Sequence, residues 1–214
     1  MLILSVCDQV MPEIKVIRFG RFADVRGYFT EPFRRSDVRN HALTGFLRDV
    51  EFVQSNESFS RAGTVRGLHF QWNPYMGKLV RTLRGRMIDL VLDIRKGSPT
   101  FGCIIAVDMP ANSDRDFGEW IWVPPGFAHG NVFPEDSAIE YFCSGEYSPE
   151  NEANISPMAS DIDWSFVPAA LRTVFMDICS GDLLISDKDW NGLSLALWQR
   201  DERSHHFLYV SGKL

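Results

Sequence analysis

The chain has 214 residues and a formal net charge of −6, and it is 45% hydrophobic, 13% aromatic and 23% charged. This length suits one domain, and the composition suits a packed globular core rather than a disordered or fibrous chain. The acidic balance argues against a broad nucleic-acid or anionic-membrane footprint, so anionic ligands must be met by local cations.

Cys7, Cys103, Cys143 and Cys179 are far apart and show no C-x-x-C spacing. They point to reduced thiols in a cytoplasmic protein rather than to a disulfide framework or zinc cage. The apolar opening from Met1 to Val6 follows no basic region and is interrupted by Asp8 and Pro12, unlike a secretory leader. No later run reaches the ~18 apolar residues of a membrane span.

From residue 13 to residue 147, short apolar stretches alternate with Gly, Pro, Asn and Asp, the spacing of an antiparallel barrel or sandwich. In chain order, strands are predicted over 52–55, 78–83, 86–94, 101–107, 119–123 and 138–143. Turn residues such as Arg84-Gly85 and Pro124-Pro125-Gly126 separate them. The clearest is 86–94: Ile88, Leu90, Leu92 and Ile94 share one face while Asp89 and Asp93 share the other, which predicts a half-buried strand. Beyond Trp164 the texture changes, and 168–172 and 191–198 read as short helices or irregular cover.

Three segments carry side chains suited to chemistry. Arg66-Gly67-Leu68-His69-Phe70-Gln71, followed by Lys78-Leu79-Val80-Arg81, brings the cations Arg66 and Lys78 and an imidazole onto what should be neighbouring strands. An isolated His between Leu68 and Phe70 is ordinarily a core histidine, and Arg66 or Lys78 alone a surface charge. In Pro124-Pro125-Gly126-Phe127-Ala128-His129-Gly130, small residues around His129 leave room for a ligand to approach the backbone. In Glu140-Tyr141-Phe142-Cys143, Tyr141 shares a face with Ile139 and Cys143 and can point into a barrel lumen, where its bland role is packing.

Together with 24–31, 52–56 and 93–102, these segments resemble the dTDP-4-dehydrorhamnose 3,5-epimerase family in order and spacing, over residues 13 to 164. The R-G-L-H-F-Q and P-x-G-F-A-H-G elements are far more discriminating than a lone glycine motif. The resemblance implies an all-β, cupin-like jelly-roll barrel with short C-terminal helices, one domain over 1–214 in which 165–214 cover the barrel. It further implies a homodimer that uses no metal or other cofactor and binds a nucleotide-diphosphate 4-keto sugar. Carried over by resemblance, His69 is the base, Asp189 its orienting carboxylate, Tyr141 the opposing acid and Lys78 the cation near the sugar's 4-oxygen. Arg66 and His129 meet substrate oxygens or the diphosphate. Arg26, Phe29, Glu31, Gln54, Asn56 and Tyr147 contact the nucleotide side, partly across the dimer.

Elementary chemistry suits these roles. A hydrogen next to a ketone is acidic because the carbanion delocalises as an enolate, whose oxyanion a cation stabilises. Inversion then needs removal on one face and delivery on the other, hence two groups.

The sequence also departs from the family pattern. The stretch from Trp164 to Asp189 is longer, which leaves Asp182 or Asp187 as alternative partners of His69. Residues 155–159 stand in place of a Trp-Asn-Asp-Pro-like element, Glu57 in place of a His and Glu146 in place of an aromatic. Thymine is the expected base, with GDP- or CDP-linked sugars open, as is inversion at only carbon 3 or carbon 5. A metal-dependent cupin would show an H-x-H pair, whereas His205 and His206 are adjacent. A binding module that has lost catalysis would not need His69, Lys78 and Tyr141 together.

Overall fold

A computed structural model describes residues 1–210. Residues 211–214, the end of the expected covering segment, lie outside the described residues. Two antiparallel sheets face each other in a jelly roll. The first has the order β1 (Ile3–Asp8), β2 (Lys15–Gly20), β10 (Phe117–Val123), β7 (Lys78–Arg84), β12 (Ser137–Cys143) and β5 (Gln54–Ser60). The second has the order β13 (Glu152–Asn154), β6 (Thr64–Gln71), β11 (Phe127–Phe133), β8 (Arg86–Asp93) and β9 (Ile104–Pro110). A small hairpin of β3 (Phe22–Asp24) and β4 (Gly27–Phe29) stands apart from both. From β5 to β8, and again from β10 to β13, the chain changes sheet at every turn, so residues close in sequence end on opposite walls of one lumen.

Alternation along the strands sorts side chains into three cores. Val80, Met87, Val91, Ile121, Phe133 and Ile139 fill part of the lumen. Leu79, Trp120 and Trp122 face outward from the first sheet and are covered by the N-terminal segment with α1 (Arg35–Asn40). Ile88, Leu90, Leu92 and Ile94 face outward from the second sheet, beneath α2 (Ala169–Ser180) and α4 (Leu195–Arg200). Strand β8 is therefore buried on both faces, not half-buried as its alternation predicted: Asp89 and Asp93 point into the barrel and are fully buried. Alternation marks two different environments, and here the polar-looking side is an enclosed lumen rather than solvent.

The other predicted elements differ mainly at their ends. The strand at 52–55 begins at Gln54 and continues to Ser60, because Asn56 and Ser58 face the polar lumen and break no pairing. The strand at 101–107 starts only at Ile104, the preceding residues forming a turn. The short helix at 168–172 is a twelve-residue helix, whose Phe175 is buried while Leu171, Val174 and Ile178 pack on the second sheet's outer core. Of 191–198, only the residues from Leu195 on are helical.

Trp198 anchors this cover. It is fully buried, packs edge-on against Phe70 at 4.6 Å between ring centroids, and its indole N–H donates to the Ile94 carbonyl at 3.3 Å. Truncating so large a buried side chain leaves a cavity and an unpaired carbonyl. Trp198→Ala is expected to lower the unfolding free energy by about 3–5 kcal/mol, read as a lower urea midpoint at unchanged slope.

Candidate active site

Strand β6 carries the device that builds the site. Arg66 and His69 are three residues apart, and strict alternation would put them on opposite faces. Against β11, however, His69 pairs with His129 and Arg66 with Asn131, so two steps on β11 oppose three on β6. This bulge resets the phase, and Arg66 and His69 both line the lumen. Gly67 permits it: its φ is +110°, and a Cβ there would lie 2.6 Å from the Gly130 Cα and 2.7 Å from the His129 carbonyl oxygen.

The bulge also frees the Gly67 amide, which donates to Asp189 Oδ2 at 3.2 Å, while Asp189 Oδ1 lies 2.8 Å from His69 Nε2. A carboxylate only accepts, so Nε2 carries the hydrogen and Nδ1 is the ring's other, cavity-side nitrogen. Asp189 is 5% exposed on α3 (Asp187–Trp190), where its own N–H is capped by the Ser186 hydroxyl at 3.1 Å. Asp182 and Asp187 are exposed, so Asp189 is the partner of His69.

Lys78 does not neighbour His69 along one sheet, as the sequence suggested. The chain crosses between sheets after Gln71, so β6 and β7 lie on opposing walls and the lysine faces His69 across the lumen. Tyr141 lines the same cavity with Ile139 and Cys143, on the face its alternation predicted. The cavity measures about 460 Å³ and is partly open to solvent. No group of three or more His, Cys, Asp or Glu side chains is arranged to hold a metal ion among the described residues.

Burial and pairing compete at each titrating group. For His69, burial opposes the charged ring, but hydrogen bonding to Asp189 and the nearby Glu152 prevail and raise its pKa. Burial lowers that of Lys78 against the attraction of the Asp89 and Glu152 carboxylates. Burial raises that of Tyr141, keeping the phenol protonated.

The predicted nucleotide-side residues divide into two sets. Gln54 and Asn56 line the cavity from β5, hydrogen-bonded to each other at 3.0 Å, and the Tyr147 N–H donates to Gln54 at 2.8 Å. Arg66 is held by the Ser60 hydroxyl at 2.9 Å and the Phe59 carbonyl at 3.1 Å. Arg26, Phe29 and Glu31 lie outside this chain's cavity: Arg26 pairs with Asp24, Phe29 is 65% exposed, and Glu31 contacts Arg34 and the N-terminal amine. Of the departures, Glu57 lines the cavity's exposed edge, whereas the Glu146 carbonyl accepts from Gln71.

Sequence reasoning missed Glu152. Its Oε2 lies 3.8 Å from His69 Nδ1, and its Oε1 accepts from the Tyr147 hydroxyl at 2.7 Å and from the Lys188 ammonium. It sits on a three-residue strand, too short to show any alternation. Burial would raise its pKa, but the contacts from His69, Lys188 and Tyr147 outweigh that and lower it from 4.5 to about 2.

The two-sheet jelly roll around a polar cavity places the molecule among the cupin-like enzymes. The family model of dTDP-4-dehydrorhamnose 3,5-epimerase matches residues 8–196. The chain is 41% identical over 157 residues to the dTDP-4-dehydrorhamnose 3,5-epimerase of Sinorhizobium fredii, covering 71% of this chain and 76% of that one. It is 36% identical over 193 residues to that of Shigella flexneri, covering 88% and 94%. A Legionella pneumophila dTDP-6-deoxy-D-glucose-3,5-epimerase, solved in complex with dTDP-4-keto-L-rhamnose, superposes with a TM-score of 0.75 at 32% identity, covering 90% and 93%. A Streptomyces bikiniensis 3'-monoepimerase in complex with dTDP-quinovose gives 0.65 at 26%, covering 94% and 90%. The chain therefore belongs to the dTDP-4-dehydrorhamnose 3,5-epimerase family.

Because the folded-state pKa of Glu152 is depressed, its contribution to stability is present above 4.5 and fades as pH falls toward 2. Urea unfolding across this range should show wild type more stable than Glu152→Gln at neutral pH, with the two converging as pH approaches 2. A constant gap would mean that Glu152 is not held ionised by its neighbours.

Proposed function

We propose that this enzyme inverts carbon 3, carbon 5 or both of a nucleoside-diphosphate 4-keto-6-deoxy sugar, by proton abstraction through an enolate, in deoxysugar biosynthesis. The observation that carries the reading is His69: Nε2 is committed to Asp189 while the ring lines a cavity that also holds Tyr141 and Lys78. The relatives named above, with their dTDP-sugar complexes, support thymidine diphosphate as the nucleotide.

In this mechanism His69 takes the proton from carbon. Asp189 fixes its tautomer and, by holding its pKa up, makes the neutral ring a stronger base. Electron density moves onto the 4-oxygen, where Lys78, half-buried and with a lowered pKa, donates readily to the developing oxyanion. Tyr141, kept protonated by burial, delivers a proton to the other face. Arg66 and His129 meet substrate oxygens, and Gln54, Asn56 and Tyr147 take the nucleotide side at the cavity mouth.

NMR of the 4-keto sugar nucleotide in deuterated buffer tests these roles together. His69→Asn should abolish deuterium entry at every exchanging carbon, a loss of roughly 10² to 10⁴ fold. Tyr141→Phe should let exchange outlive inversion, because the base can return a solvent-derived proton to the face it left. Inversion keeping pace with exchange in that variant would remove Tyr141 from the acid's role. The wild-type spectrum also shows whether one carbon exchanges or two.

The enzyme works as a cytoplasmic homodimer in this reading. The β3–β4 hairpin presents Phe22, Val25, Tyr28 and Phe29 to solvent. An isolated two-stranded ribbon with apolar side chains gains stability by docking on another surface. A twofold partner would bring Arg26, Phe29 and Glu31 toward the neighbouring cavity mouth. Light scattering at micromolar concentration should give twice the chain mass, and a monomer-sized species would exclude this arrangement.

A further inference from the structure

The lumen holds a second imidazole–carboxylate pair. His129 Nε2 lies 2.8 Å from Asp89 Oδ2. The register of β11 against β6 sets His129 directly opposite His69, so the two rings are cross-strand neighbours on one face. Both commit Nε2 to a carboxylate, and both line the cavity.

Asp89 itself is fully buried and outside the cavity lining, so it is out of reach of a ligand. Its Oδ2 also accepts from Asn131 Nδ2 at 3.2 Å, while Oδ1 has no hydrogen-bond donor among the described residues. A carboxylate oxygen without a donor in an enclosed interior is costly. It sits mid-strand in Met87-Ile88-Asp89-Leu90-Val91, where packing alone would favour an apolar side chain. Its neighbours on the lumen face, Met87 and Val91, belong to the apolar core. What distinguishes Asp89 from them is the bond to His129.

We propose that Asp89 is a positioning residue of the epimerase reaction, locking His129 in the tautomer and orientation that present Nδ1 to a sugar oxygen beside the reacting carbons. The inference rests on reading the cavity as the epimerase site. A carboxylate cannot donate, so Nε2 bears the hydrogen, and His129 Nδ1 has no protein partner among the described residues. The neutral ring offers its Nδ1 lone pair to a sugar hydroxyl, and the protonated ring offers Nδ1–H to a substrate oxygen. Either way Asp89 acts through His129. Its negative charge also favours the ammonium of Lys78, as does that of Glu152 from β13. The Lys78 charge in turn bears on His69.

The first test is made on the wild-type protein and requires no variant to fold. Nitrogen-15 NMR of the histidine side chains, at a pH where His129 is neutral, should show hydrogen on Nε2 and a bare Nδ1. A bare Nε2 on His129 overturns the proposal. In Asp89→Asn the ring should move toward mixed tautomers and kcat should fall about tenfold or more, below the roughly 10² to 10⁴ of a proton-transferring group. The double variant Asp89→Asn with His129→Gln should lose clearly less than the sum of the two single losses, because the carboxylate then has no imidazole to position and only its charge on Lys78 remains. A kcat loss with the tautomer unchanged, or losses that add in the double variant, would reduce Asp89 to a packing role. Because the tautomer is read in the resting protein, its result stands apart from the deuterium experiment, in which a wild-type enzyme that exchanges no carbon-bound proton would fail the functional reading instead.

Discussion

One carboxylate joins the parts of this site that the chain makes far apart. Asp189, from a short helix in the C-terminal segment, accepts from the Gly67 amide with one oxygen and holds His69 Nε2 with the other. The first bond satisfies a backbone donor that the bulge takes out of the ladder, and the second sets which nitrogen of His69 is bare. Without the bulge, Arg66 and His69 could not share the lumen. Without Asp189, the bulge would leave a buried N–H unpaired and the His69 ring free to adopt either tautomer. The C-terminal chain is brought alongside by parallel bridges of Leu184 to Thr64 and of Leu193 to Ile155, on either side of this point.

The lumen divides into two halves with opposite solvation. One is filled by Val80, Met87, Val91, Ile121 and Phe133 and excludes water. The other, open at the mouth, gathers Lys78, Arg66, two imidazoles and a phenol. Placing charged and polar groups against an apolar floor makes their mutual fields stronger than they would be in water. That is why the same burial can depress Lys78 and raise Tyr141 while His69 moves up through its carboxylates. A developing enolate oxygen would meet these dipoles already oriented, with little reorganisation left to do.

The stretch between Trp164 and Asp189 is mostly α2 and the turn after it. It is a layer over the second sheet rather than an appendage: Leu171, Val174 and Ile178 join a core with Phe70, Leu90 and Trp198. The same layer therefore supports the outer face of β6 and delivers the partner of His69 to its inner edge. Packing energy on one side of the strand thereby fixes geometry on the other.

The amino-acid sequence by itself determined the local elements and much of the candidate site. Period-two alternation and turn residues marked the strands of the barrel wall. The spaced motifs singled out His69, Lys78, His129 and Tyr141, all of which line one cavity. Alternation could not say what lies beyond each face of a strand, so Asp89 and Asp93 read as solvent-facing until the lumen enclosed them. Nor could strict alternation place Arg66 and His69 on one face, because a bulge is a property of two paired strands and not of one. The partner of His69 among three nearby aspartates, the role of Glu152 on a three-residue strand, and the opposition of Lys78 to His69 across the barrel were likewise decided only by the tertiary structure. Each depends on contacts between segments far apart in the chain, which are fixed when the sheets close and the C-terminal layer docks.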